Sequence, residues 1–116
     1  MPTKYNIPDH YKGDTFNGLQ FTIKDTVTLN AIDLTGAAIK IQFRKGNKRG
    51  LLEKEFVISD GITLSNALGG IFQIDTFVLD WDVASYYYDI EMTFVSGVVV
   101  TYIEGIINIT QDVTYG

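Results

Sequence analysis

The chain is 116 residues long, enough for one domain built on one core. Hydrophobic residues make up 46% and charged residues 20%, with seven Phe, seven Tyr and one Trp, a composition that excludes disorder throughout. A formal net charge of −5 argues against a nucleic-acid partner, and the lack of cysteine removes disulfides, thiolate chemistry and cysteine-based zinc sites.

Residues 1–12 read as an N-terminal arm, and 13–116 as a single β-sandwich domain. The arm holds no apolar stretch of signal-peptide length, and no run of about eighteen apolar residues occurs anywhere, so neither a cleaved signal nor membrane insertion is expected. Leu19, Phe21 and Ile23 alternate with Gln20, Thr22 and Lys24, the period of a strand with one dry face. Residues 28–32 suggest a further short strand. Asp33-Leu34-Thr35-Gly36 reads as a turn, since Asp bonds backbone ahead of it and Gly accepts positive φ.

Ile39, Ile41 and Phe43 then alternate with Lys40, Gln42 and Arg44, and the loop at 45–50 ends that strand. Strand resumes over 51–58, and Asp60-Gly61 turns the chain into 62–64. After a loop at 66–70, Phe72 and Ile74 alternate with Ile71, Gln73 and Asp75; residues 79–84 are the one place where a helical turn fits.

Tyr86, Tyr88, Ile90, Met92 and Phe94 face one way and Tyr87, Asp89, Glu91 and Thr93 the other. With Ser96 and Gly97 as a two-residue loop, counting pairs Ile90 with Ile103, Tyr88 with Gly105 and Met92 with Thr101. A ring opposite a glycine covers bare backbone. The same register sets Asp89 against Glu104, which needs a nearby cation. Lys40 and Arg44 supply one if the 38–44 strand lies beside the 86–95 strand. Strands of this length and spacing read as a sandwich or a barrel, and the pairing of 38–44 beside 86–95 points to an all-β, immunoglobulin-like antiparallel β-sandwich of about seven strands.

Catalytic chemistry finds little footing. His10 is the single histidine and sits in a polar segment, so no Ser-His-Asp set forms around it. Asp75, Asp80, Asp82, Asp89, Glu91 and Glu104 could supply a glycosidase pair only across a cleft that short loops do not make. Asp80-Trp81-Asp82 lacks the glycine-bearing acidic loop of a calcium site, and its Trp81 reads as closing the core. No catalytic, cofactor-binding or metal-binding residue is therefore assigned. The candidate partner-binding residues are Arg44, Lys45, Lys48 and Arg49 at one hairpin tip, which could dock an acidic neighbour, and Tyr87 and Tyr102, read as outward rings. Each has a plainer reading, as a solvated tip and as packing on a half-exposed sheet.

Several phrases also carry a family resemblance: Lys12-Gly13-Asp14-Thr15-Phe16, Ile32-Asp33-Leu34-Thr35-Gly36-Ala37 leading into Ile39-Lys40-Ile41-Gln42-Phe43-Arg44, then Gly70-Ile71-Phe72 and the closing Gly105-Ile106-Ile107-Asn108-Ile109-Thr110. Their order resembles the immunoglobulin-like N-terminal domain of tailed-phage upper-baseplate proteins and related small phage structural proteins. That resemblance implies a bacteriophage virion structural protein or attachment module in a baseplate, tail, head-fibre or capsid decoration. Such a protein is made in the host cytoplasm and works as an oligomer, or within a larger assembly, through contacts with other virion proteins. The alternative is a carbohydrate-binding β-sandwich module that presents Tyr87, Tyr102 and Trp81 to a host-surface glycan.

Overall fold

A computed structural model describes residues 2–111. The strands in chain order are Thr3–Lys4 (β1), His10–Tyr11 (β2), Thr15–Phe16 (β3), Leu19–Thr22 (β4), Ala38–Lys45 (β5), Leu52–Ile58 (β6), Gly61–Asn66 (β7), Ile71–Ile74 (β8), Phe77–Val78 (β9), Ala84–Thr93 (β10) and Val99–Thr110 (β11). Seven of these are four residues or longer, and they form an all-β, immunoglobulin-like antiparallel sandwich.

Hydrogen bonding runs continuously in the order β1-β11-β10-β5-β6-β7-β8-β4, with β2 also on β11. The sheet closes over itself at a sideways step after β6, where Ser59 takes φ 72° and β7 continues parallel to the end of β6, pairing Gly61 with Val57 and Ile62 with Ile58. β11, β10, β5 and β6 thus form one layer, and β7, β8 and β4 the other. β3 and β9 make a separate two-stranded ladder.

The two-residue period decides what lies between the layers. Ile39, Ile41 and Phe43 of β5, Tyr86, Tyr88, Ile90 and Met92 of β10, Ile103 and Ile107 of β11, and Phe21, Phe72 and Ile74 from the other layer are all buried in one cluster. Phe21 stacks on Phe72 at 5.4 Å and Phe43 on Tyr88 at 5.5 Å. Each such side chain contributes about 1.5–3 kcal/mol by leaving water. Among the described residues no polar or charged residue is buried, and no buried side-chain nitrogen or oxygen lacks a partner.

Near the start of β10 the Tyr86 hydroxyl donates to the Asp82 carbonyl at 2.7 Å, the tyrosine corner of Greek-key sandwiches. Burial pushes this phenol up to about 12. Trp81 packs beside it, 5.2 Å from Tyr86 and 5.0 Å from Phe43, and is itself buried.

Three local expectations need correction. Residues 28–32 form no strand, because Asp25 takes the chain into a compact loop: its carboxylate accepts the amides of Val27 and Thr28, and its backbone bonds Leu29 and Asn30. Residues 79–84 form no helical turn; Leu79 and Trp81 are drawn into the core and strand resumes at Ala84. The β10–β11 loop is one residue longer than expected, since Phe94 and Val98 close it and Gly97 holds φ 92°, the three-residue hairpin ending in a glycine bulge. Met92 therefore faces Val100 rather than Thr101. A bulge between Ile90 and Glu91 then restores the expected pairs Ile90–Ile103, Asp89–Glu104 and Tyr88–Gly105.

The N-terminal arm lies along β11. β1 pairs with Ile103 and Glu104, β2 with Ile109 and Thr110, and Ile7 between them is buried. Gly105 makes this approach possible: a Cβ there would collide with the Tyr5 carbonyl. That carbonyl accepts the Tyr88 hydroxyl at 2.5 Å.

Candidate interaction surface

Strand directions place three connections at one end of the sandwich: the long loop from β4 to β5, the β7–β8 turn and the β10–β11 hairpin tip. They are tied together. Ile23 donates to the Gly70 carbonyl at 2.9 Å and Leu34 to that of Ala67 at 2.9 Å, joining the first loop to the second. The turn at 33–36 abuts the hairpin tip, where a Cβ on Gly36 would stand 2.8 Å from Val95 Cγ2. Beneath them Leu34 is fully buried.

This end carries Val27, Leu29, Leu68, Val95, Val98 and Val99, each 55–87% exposed and together half of the twelve large hydrophobics exposed among the described residues. The β4–β5 loop is held in shape rather than slack. Leu29 sits at φ 63°, an unusual conformation for a bulky residue, and the Asp25 bonds impose it. Those amides hold the Asp25 carboxyl below its ordinary value, Thr28 contributing most. The Asp33 carboxyl is lowered in the same way by the hydroxyl and amide of Thr35.

Of the residues singled out from sequence, Arg44, Lys48 and Tyr87 meet around one hollow away from this end, while Tyr102 lines a groove at its flank. Arg44 donates to the Gly50 carbonyl and to Gln42, Lys45 pairs with Asp82 at 3.1 Å, and Lys48 reaches Glu104 at 3.5 Å; Arg49 stays exposed at the tip. Tyr87 is gathered with Gln42, Arg44, Lys48, Asp89 and Glu104 around a hollow of about 70 Å³, well under the ~300 Å³ of small-molecule sites. Tyr102 is at the β11 bulge, half-buried and edge-on to Phe94, on a groove that Tyr87 does not share. With Trp81 buried as well, the three rings make no common platform.

Both ring nitrogens of His10 lie near backbone carbonyls, those of Tyr11 and Thr15. Asp75 accepts the Thr63 hydroxyl at 2.6 Å. Among the described residues no three His, Asp or Glu side chains converge as metal ligands would.

Neither family models nor curated proteins match this chain. Among solved structures, CopC from Methylosinus trichosporium OB3b aligns with 90% of this chain and 88% of that chain, at 12% identity and a TM-score of 0.47. That match is not a phage baseplate protein, and no sequence comparison supports a phage relationship, so the resemblance is withdrawn together with the virion function it implied. The structure gives the shared phrases a local origin. Gly13 and Asp14 exchange backbone bonds with Leu79 to start the β3–β9 ladder, and Asp33-Leu34-Thr35-Gly36 is a side-chain-capped turn with Gly36 at φ 73°. Any sandwich that needs these turns can arrive at such words.

Proposed function

We propose that this chain is a non-catalytic binding module that docks a protein partner through its three-loop end. One observation carries the reading: three neighbouring loops at one end of the sandwich, two of them joined by backbone bonds, carry six exposed aliphatic side chains and few charges. Soluble proteins usually scatter such side chains, and a gathered set marks a contact site. A loop already braced by Asp25 loses little freedom on binding, so more of the contact energy appears as affinity. The single histidine, held at backbone carbonyls of Tyr11 and Thr15, offers no evident base to favour a reaction over this role.

Photo-crosslinking in the cells that naturally make the chain tests the reading, with a benzophenone side chain at Val95 or Leu68 and, as control, at exposed Glu53. Protein adducts are expected from the first two positions and not from the third. Absence of adducts at the loop end, or equal yields at all three positions, would overturn the proposal.

A further inference from the structure

The part of β11 that no described strand covers indicates what occupies the loop end. One edge of β11 is taken by β10, and the N-terminal arm covers the other from Ile103 onward. Among the described residues the arm's ladder starts at Thr3, and Pro2 before it has no N–H to extend it. From Gly97 to Thr101 no described strand lies on that edge, and a groove of about 320 Å³ separates Val100–Ile103 from residues 22–26 of the other layer. Residues 95–101 read Val-Ser-Gly-Val-Val-Val-Thr, with no charge and no proline. Edge strands that avoid pairing carry such residues, and this one does not.

We propose that a second copy of the chain docks here, the two β11 strands pairing antiparallel about a two-fold axis at Val99. This rests on reading the loop end as a docking surface and names its occupant. The uncharged edge is self-compatible and so fits a second copy. A two-fold contact sets each surface against itself, so like charges on it add up. The loop end carries Lys24, Asp25 and Asp33, a net charge of only −1 that lies off the 97–101 edge itself. It is thus a surface on which two copies of a chain with net charge −5 can meet with little repulsion.

In this arrangement Val99 faces its own mate and Val98 faces Val100, while main-chain bonds form along the edge that no described strand occupies. The bulge at Tyr102 and the arm at Ile103 stop the pairing, so it closes as a dimer and does not grow. So short an interface gives weak, reversible association, with Kd on the order of 10 µM.

Sedimentation velocity on the purified chain, from about 1 µM to about 500 µM around that constant, tests it. Wild type should pass from monomer to dimer. Val99→Asp and Val99→Lys each set two like charges at the axis and should weaken the dimer at least ~10-fold, with circular dichroism unchanged because Val99 is exposed. Mixing the two variants should restore association by pairing opposite charges, which a merely structural effect would not do. A wild type that stays monomeric, a dimer indifferent to both variants, or a mixture that fails to recover would each overturn the proposal. If monomer is found while Val95 still crosslinks to another protein, the second copy is wrong and the docking surface stands; if both tests fail, both readings fall.

Discussion

Asp89 shows how strand pairing sets the environment of a single side chain. It lies on β10 between Gln42 of β5 and Glu104 of β11, with Glu91 beyond. Partial desolvation, then Glu91 and Glu104, raise its carboxyl above the ordinary value, while Arg44 and Lys48 pull it back. The acidic pair was legible in the sequence, but its cation only partly: Arg44 acts as expected, whereas Lys48 folds over from the hairpin tip and Lys40 stands opposite Glu91. Between the ordinary carboxyl value and its raised folded value, the folded chain holds a proton that the unfolded chain has released. Stability on this account falls as pH rises through that window, and the penalty is complete at neutral pH. Asp89→Asn should therefore raise stability at pH 7 by about 0.5 kcal/mol, since the pair still reaches solvent, or roughly 2–4 °C in Tm. Below the ordinary carboxyl range the two proteins should melt alike; thermal unfolding at pH 3 and pH 7 reads the difference. An equal gain at both pH values would trace the effect to something other than charge.

At the scale of elements, the faces of β5 and β10 were legible because a period of two only asks which side is dry. The β10–β11 hairpin was harder. Loop length and bulge each shift the register by one residue, in opposite senses, so counting found Ile90–Ile103 while missing Met92–Val100. The 28–32 segment misled because alternation is silent about a side chain such as Asp25 that captures the amides ahead of it. Tyr88 opposite Gly105 was foreseen as cover for bare backbone. The structure adds a second tenant, the Tyr5 carbonyl, which a Cβ on Gly105 would meet along with the Tyr88 ring edge at 3.1 Å. Gly105→Ala should therefore lift the arm from β11 and cost about 1–3 kcal/mol. Hydrogen exchange at the Tyr5 and Ile7 amides, which bond the Glu104 and Ile106 carbonyls, should quicken more than exchange in β5. Uniform acceleration across both would mean that the arm and the sandwich open as one unit.

For the whole molecule, the loop end was not legible because its making is topological. Val27, Leu68 and Val95 are far apart in the chain and are brought together only by strand order, and no local pattern tells an exposed valine from a buried one. Net charge, by contrast, is plain in the sequence, and it acts on association as a whole-body field. Two copies meeting at Val99 approach as bodies of charge −5, although the contact itself holds few charges. The Debye length falls from ~30 Å at 0.01 M salt to ~8 Å at 0.15 M, which screens repulsion between distant acidic faces while leaving valine packing and main-chain bonds nearly untouched. Salt should therefore tighten the dimer, by about 2- to 5-fold across that range if repulsion costs ~0.5–1 kcal/mol. Sedimentation at the two ionic strengths measures the change. Loosening with salt would mean that ion pairs hold the copies together, as a contact through the basic tip at Lys45, Lys48 and Arg49 against an acidic face would require.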